Sequence, residues 1–235
     1  MANQHYTSLS NSTSTFADML DHFGIVTVMD AYVFDYDSSK INGQNAYEIY
    51  QALKGTDKSN PFSTRLCKLD TLKVANVTVE GPTKSITGGK YANTLLKYGK
   101  TATMEIQDAL GNAKAIEALC GGLVESCGSS KDEATKIGLH IGSDFSSAKT
   151  IIGDTFFIDQ KTGQQVKVGI IFYQFLPDSL FNLTQDAEGD ATVFDMNGSL
   201  LLTDIMVGND AGSQVTHGVF YSIINPDHAD NTTTN

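Results

Sequence analysis

Residues 100–108, KTATMEIQD, place Ala102, Met104 and Ile106 at one parity and Thr101, Thr103, Glu105 and Gln107 at the other. This two-residue period belongs to a strand with one face in a core and one in water, and a helix cannot gather such residues onto one stripe. Similar runs, rich in β-branched and aromatic residues, occur at 72–79, 137–141, 151–158, 166–175, 191–196, 199–207 and 217–224. Leu72 and Val74 share a parity that Val77 and Val79 do not, which predicts a β-bulge or a change of sheet near Ala75 and Asn76. The connection 159–163, ending in Gly163, reads as a hairpin turn, and Asn197-Gly198 reads as a two-residue hairpin turn.

Helical signals are few. Residues 112–120 carry Ala113, Ile116 and Cys120 on one stripe and stop at Gly121-Gly122; 47–53 and 16–23 are shorter candidates. The expected class is therefore mainly β: a sandwich or barrel of two antiparallel sheets with one flanking α-helix and a long inter-strand loop. A single domain over 1–235 is expected, because β sandwiches and barrels commonly exceed 200 residues. Residues 1–14 and 226–235 are polar and rich in Ser, Thr and Asn, and are expected to be flexible arms.

Charge is distributed in blocks. All 16 lysines and arginines lie between Lys40 and Lys167. Residues 1–39 hold Asp18, Asp21, Asp30, Asp35 and Asp37 without a base, and residues 168–235 hold nine acids without a base. The surfaces built from the two ends should repel nucleic acid rather than grip it. No stretch has the length and apolarity of a membrane span, and no basic region followed by an apolar run marks a signal peptide at the N-terminus, so a cytoplasmic site of synthesis is expected. The Asn-x-Ser/Thr triplets at Asn11, Asn76, Asn182, Asn197 and Asn231 then read as chance occurrences.

The chemistry-bearing residues form no recognisable constellation. Cys67, Cys120 and Cys127 lack the spacing of a zinc site or a disulfide framework and read as small buried hydrophobes. Gly99-Lys100-Thr101 ends like a phosphate-binding loop, but Thr94 stands where the first glycine is needed and a strand follows instead of a helix. Gly89-Lys90 fails too, with Lys84 and Tyr91 at the required glycine and Ser/Thr positions. Asp35-x-Asp37-x-Ser39 starts like a calcium loop but has Lys40 and Ala46 at its sixth and twelfth positions, so a solvated acidic turn is expected. His5, His22, His140, His217 and His228 are isolated from one another in sequence. No catalytic, cofactor-binding or metal-binding residue is assigned, and no cofactor is expected.

The segment 79–99 stands apart. It joins two predicted strands through Pro82 and paired glycines, with Lys84, Lys90 and Lys97 and the apolar residues Ile86, Tyr91, Leu95, Leu96 and Tyr98. Connections of this length in compact domains are usually functional or disordered, and these apolar groups need a cover. Two readings remain open: a loop folded onto its own domain, or an arm that docks on a neighbouring subunit.

The segments DTLKVANVTVEGPTK at 70–84, GGKYAN at 88–93, KYGKTA at 97–102 and MEIQDALG at 104–111 resemble the core of major tail (tail tube) proteins of long-tailed bacteriophages. FNLTQDAEGDATVFDM at 181–196 resembles a late hairpin of that family. The resemblance covers roughly 68–125 and 150–207. It implies a structural virion protein, without enzymatic activity, that closes hexameric rings through sheet edges and stacks them through a long loop and a terminal arm. Implied partners are further copies of the chain and tape-measure, tail-terminator and baseplate proteins, with DNA as repelled cargo during ejection and no membrane. Asp186, Glu188 and Asp190 alternate with small residues, so an extended ribbon would put all three carboxylates on one face, either in the channel or at a hairpin tip on the outer wall. The rival readings are another phage virion β-domain, such as a head decoration or head-tail joining protein, and an enzyme or carbohydrate-binding sandwich.

Overall fold

A computed structural model describes residues 23–55, 65–69, 72–81, 83–88, 92–97, 99–108, 113–127, 135–142, 146–159, 165–184, 193–208 and 214–226. Its strands are β1 (Phe23–Asp35), β2 (Cys67–Leu69), β3 (Leu72–Glu80), β4 (Thr83–Gly88), β5 (Ala92–Lys97), β6 (Thr101–Asp108), β7 (Leu123–Cys127), β8 (Thr135–His140), β9 (Lys149–Asp159), β10 (Gln165–Thr184), β11 (Val193–Leu200), β12 (Thr203–Gly208), β13 (Gln214–Val219) and β14 (Tyr221–Ile224). Among the described residues three helices accompany them: α1 (Ser38–Ile41), α2 (Ala46–Lys54) and α3 (Ala113–Cys120). The mainly-β antiparallel class expected from the alternation is the class observed.

The main sheet has eight strands in the order β2-β1-β9-β10-β11-β6-β3, with β14 also paired to β10. β10 does the joining. Its first half pairs with β9 and, from Gly169 to Phe172, with β14; its second half pairs with β11 from Phe175 to Thr184. Register shifts after Phe172 and after Pro177 interrupt the ladders at the changeover. Such irregularities bend a strand and let one chain segment serve two layers.

The sheet curls so that its ends face each other. Ala31 and Val33 of β1 and Cys67 and Leu69 of β2 share one core with Ala102, Met104 and Ile106 of β6 and Met196 and Leu200 of β11. Phe172 and Phe175 of β10 fill its middle, and α3 covers it with Ala115, Ile116 and Leu119. A second core lies on the opposite face of β1, β9 and β10. There Phe34, Ile152, Ile171 and Tyr173 meet Ile41 of α1, Ile49, Tyr50 and Leu53 of α2, and Ile205 of β12. Burying both faces explains why adjacent apolar residues occur at 151–152, 156–158 and 170–173 while 100–108 alternates.

Local chemistry sets the helix ends. The Asp37 side chain accepts a hydrogen bond from the Ser39 amide at 3.0 Å and caps α1. The Asn45 side chain accepts one from the Glu48 amide at 2.9 Å and caps α2. Gly55 ends α2 in the left-handed region at φ 73°, a conformation glycine adopts without steric cost. The helices at 47–53 and 112–120 are present as expected, and a second helix flanks the sheet where one was anticipated. Within 16–23, Phe23 opens β1, and the remainder lies outside the described residues.

Three expectations are corrected. Asn197-Gly198 is no turn: β11 runs through it, with Asn197 opposite Glu105 and Gly198 opposite Met104 and Pro177. Glycine is required there because a Cβ would collide with the Phe175 ring and come within 2.7 Å of the Leu176 carbonyl oxygen. The bulge in β3 falls between Leu72 and Val74 rather than at Ala75 and Asn76. The connection after Gly81 is a hairpin rather than a loop: β4 and β5 pair in register from Thr83 opposite Lys97 to Gly88 opposite Ala92.

Candidate assembly surfaces

Among the described residues, three two-stranded ribbons share no ladder with the main sheet: β4 with β5, β7 with β8, and β12 with β13. A ribbon that pairs only with itself leaves backbone donors and acceptors along its outer edges, which are templates for another strand.

β12 and β13 form the ribbon whose surroundings are best defined. The outer side of β12 is tethered, because the Gly43 amide donates to the Asp204 carbonyl at 3.0 Å and the Met206 amide donates to the Gln44 carbonyl at 2.9 Å. Thr203 and Ile205 point into the second core and are 2% exposed. β13 pairs with β12 alone among the described residues, and every residue from Gln214 to Gly218 is exposed. Val207 and Val215, opposite each other near its tip, are both exposed, and Leu201 and Leu202 are exposed at its base.

The β7–β8 ribbon leaves Leu123 and Leu139 exposed, with Ile141 exposed just beyond it. A contact of His140 Nε2 with the Glu125 carboxylate at 2.9 Å ties its two strands together, and Glu117 of α3 accepts a hydrogen bond from the Val124 amide at 3.3 Å. His140 is thus a surface ribbon residue, and His217 lies on exposed β13.

A polar face covers the outside of β3, β6 and β11. Thr78, Glu80, Thr101, Thr103, Glu105 and Asn197 are exposed there, and Asp195 and Ser199 are half-buried. Thr78, Thr103, Glu105, Asn197 and Asp178 line a shallow groove of about 290 Å³. Among the described residues, the charged groups there, Glu80, Glu105, Asp178 and Asp195, are all acidic. The parity of 100–108 already separates Thr101, Thr103 and Glu105 from the core residues, but no signal in one segment shows that four strands join this face.

The other polar groups have structural roles. Asp35, at the start of the calcium-like segment, accepts a hydrogen bond from the buried Lys149 ammonium at 2.7 Å. The Ser39 hydroxyl, 2.6 Å from the Asp37 carboxylate, is the main cause of that carboxyl lying below its ordinary range. Asp154 sits under α2, receives hydrogen bonds from the Tyr50 hydroxyl and, at 2.8 Å, from Lys54, and lies 3.4 Å from Lys167. Burial pushes the Asp154 carboxyl up, but these hydrogen bonds and cations together hold it below the usual value. Burial pushes the Cys120 thiol up to about 12, which keeps it protonated and unreactive. Cys67 is buried in the first core. Among the described residues, no group of three or more His, Cys, Asp and Glu side chains is arranged to hold a metal ion, and no helix is long and apolar enough to cross a membrane.

Of the candidate inter-subunit residues, Lys84, Ile86, Leu95 and Leu96 occupy register positions in the β4–β5 ribbon, with Lys84 opposite Leu96 and Ile86 opposite Thr94. Pro82, Lys90, Tyr91 and Tyr98 lie outside the described residues, as do Asp186, Glu188 and Asp190.

Residues 130–212 match the YomU/Tube protein family. The resemblance to tail tube proteins read from the sequence stands on this match. It spans the second of the two resembling stretches, including β9 to β12. A solved structure described as the anti-feeding prophage (AFP) baseplate, 6-fold symmetrised, is also similar, at 7% identity and a TM-score of 0.35, covering 86% of this chain and 97% of that one. No curated protein matches the chain.

Proposed function

We propose that the chain is a structural phage-tail subunit that polymerises through its strand edges into stacked rings forming a tube for DNA. The observation that carries this reading is the match of residues 130–212 to the YomU/Tube protein family. The ribbons with open edges support it physically, since pairing between two different edges of identical chains is heterologous and closes into a ring when the rotation allows. Six subunits per ring, a role without catalysis, and contacts with tape-measure, tail-terminator and baseplate proteins complete the proposal, as does assembly of a single-domain subunit made in the host cytoplasm.

The base-free stretch after Lys167 supports a channel that repels its cargo, because phosphate contacts dominate affinity wherever cations are offered. Negative-stain microscopy and sedimentation of the purified protein test the reading. Rings or tubes are expected. Monomers at all concentrations and salts, with no tubes after long incubation, would overturn it; trimers that bind capsids would favour a decoration protein, and ligand-stabilised monomers an enzyme or lectin-like sandwich.

A further inference from the structure

We infer that the receiving site for the β4–β5 ribbon of one copy is the β12–β13 ribbon of a second copy, with a basic strand laid along the free edge of β13. This rests on the self-assembly just proposed and names the two surfaces that meet.

The argument begins with what β13 lacks. β12 is held on its outer side by the backbone of residues 43–45, whereas β13 has β12 as its sole strand partner among the described residues. Both faces of β13 are open to solvent from Gln214 to Gly218. Long exposed edges of this kind are normally blunted by lysine, proline or a bulge. β13 has none of these: its sequence is QVTHGV, and its register against β12 is unbroken from Thr203 opposite Val219 to Gly208 opposite Gln214. It also presents apolar surface, with Val215 43% and Val207 39% exposed.

Charge then selects the occupant. β12 and β13 contain Asp204 and no lysine or arginine. β4 and β5 contain Lys84 and Lys97 and no acid. Of the other two free-standing ribbons, only β4–β5 is single-signed, since β7–β8 carries Glu125 and Lys136 together. The basic ribbon also carries Ile86, Leu95 and Leu96 to set against the valines. Strand addition would supply main-chain hydrogen bonds, while complementary charge steers the approach and rejects pairing of like ribbons. The two patches differ, so the contact is head-to-tail and propagates from copy to copy.

Charge reversal with rescue tests the assignment in the full-length protein. D204K and, separately, K84E/K97E should each raise the protein concentration needed for polymerisation by about tenfold or more, with unchanged circular dichroism. The triple variant should return it to within about threefold of the wild type, the coupling expected of groups in contact. Carbodiimide cross-linking of wild-type polymers should join Lys84 or Lys97 of one copy to Asp204 of another. Wild-type polymerisation without rescue, or with these lysines cross-linked only to other acids, would overturn this contact and leave the tube reading intact. A wild-type chain that never polymerises would overturn both.

Discussion

Gly198 shows how a residue's meaning depends on its neighbours. In sequence Asn197-Gly198 carries the strongest two-residue turn signal in the chain, yet its glycine serves close packing within a paired strand. The ring it admits, Phe175, is fully buried. Gly198→Ala should therefore destabilise the fold by about 1–3 kcal/mol, because Phe175 must shift and the Leu176 carbonyl cannot retreat without disturbing its ladder. Urea denaturation would measure it, and a neutral result would mean that the ring has room.

Asp154 makes a second prediction at this scale. Its carboxyl, 15% exposed, joins α2 to the sheet through Tyr50 and Lys54 and also pairs with Lys167 of β10. Because its folded-state pKa is depressed, its ionised form adds stability above the unfolded carboxylate value of about 3.9, and that stability is lost as pH falls through the lower folded value. Asp154→Asn should cost about 1–2 kcal/mol at pH 7, and the gap from wild type should narrow in acid. A gap independent of pH between 7 and 2 would assign the loss to packing.

Among the elements, β10 and the β4–β5 ribbon contrast most. β10 contributes Ile170, Ile171, Phe172, Tyr173 and Phe175 to the two cores, so the sheet cannot exist without it. The β4–β5 ribbon pairs with no other strand among the described residues. Removing residues 83–97 and joining Pro82 to Tyr98 should leave a cooperatively folding subunit that no longer polymerises. Loss of the native circular dichroism spectrum would show instead that the ribbon belongs to its own domain's core, the second reading left open by its apolar residues.

At the scale of the molecule, charge segregation carries the prediction. If Asp186, Glu188 and Asp190 line the channel of a ring, symmetry repeats them into a negative collar, screened over only about 8–10 Å in physiological salt. Replacing all three by lysine should leave tube length near normal but slow DNA ejection, more so at low salt. Normal ejection from such particles would move these residues to the outer wall and leave the exposed Glu80 and Glu105 on the polar face as the better lumen candidates.

The sequence alone determined the strand content, the α2 and α3 helices, the buried parity of 100–108 and the segregation of charge. These follow from periods of two and 3.6 residues and from residue counts, which are local or additive properties. Tertiary structure decided that Asn197-Gly198 continues a strand, that residues 83–97 make a ribbon, and that β10 serves two layers. It also decided that Thr78, Glu105, Asp178 and Asn197, from four different strands, share one face. Strand pairing is long-range: a side chain's parity marks its face, but which strands adjoin, and which edge stays open, depends on packing between segments as distant in sequence as β1 and β9.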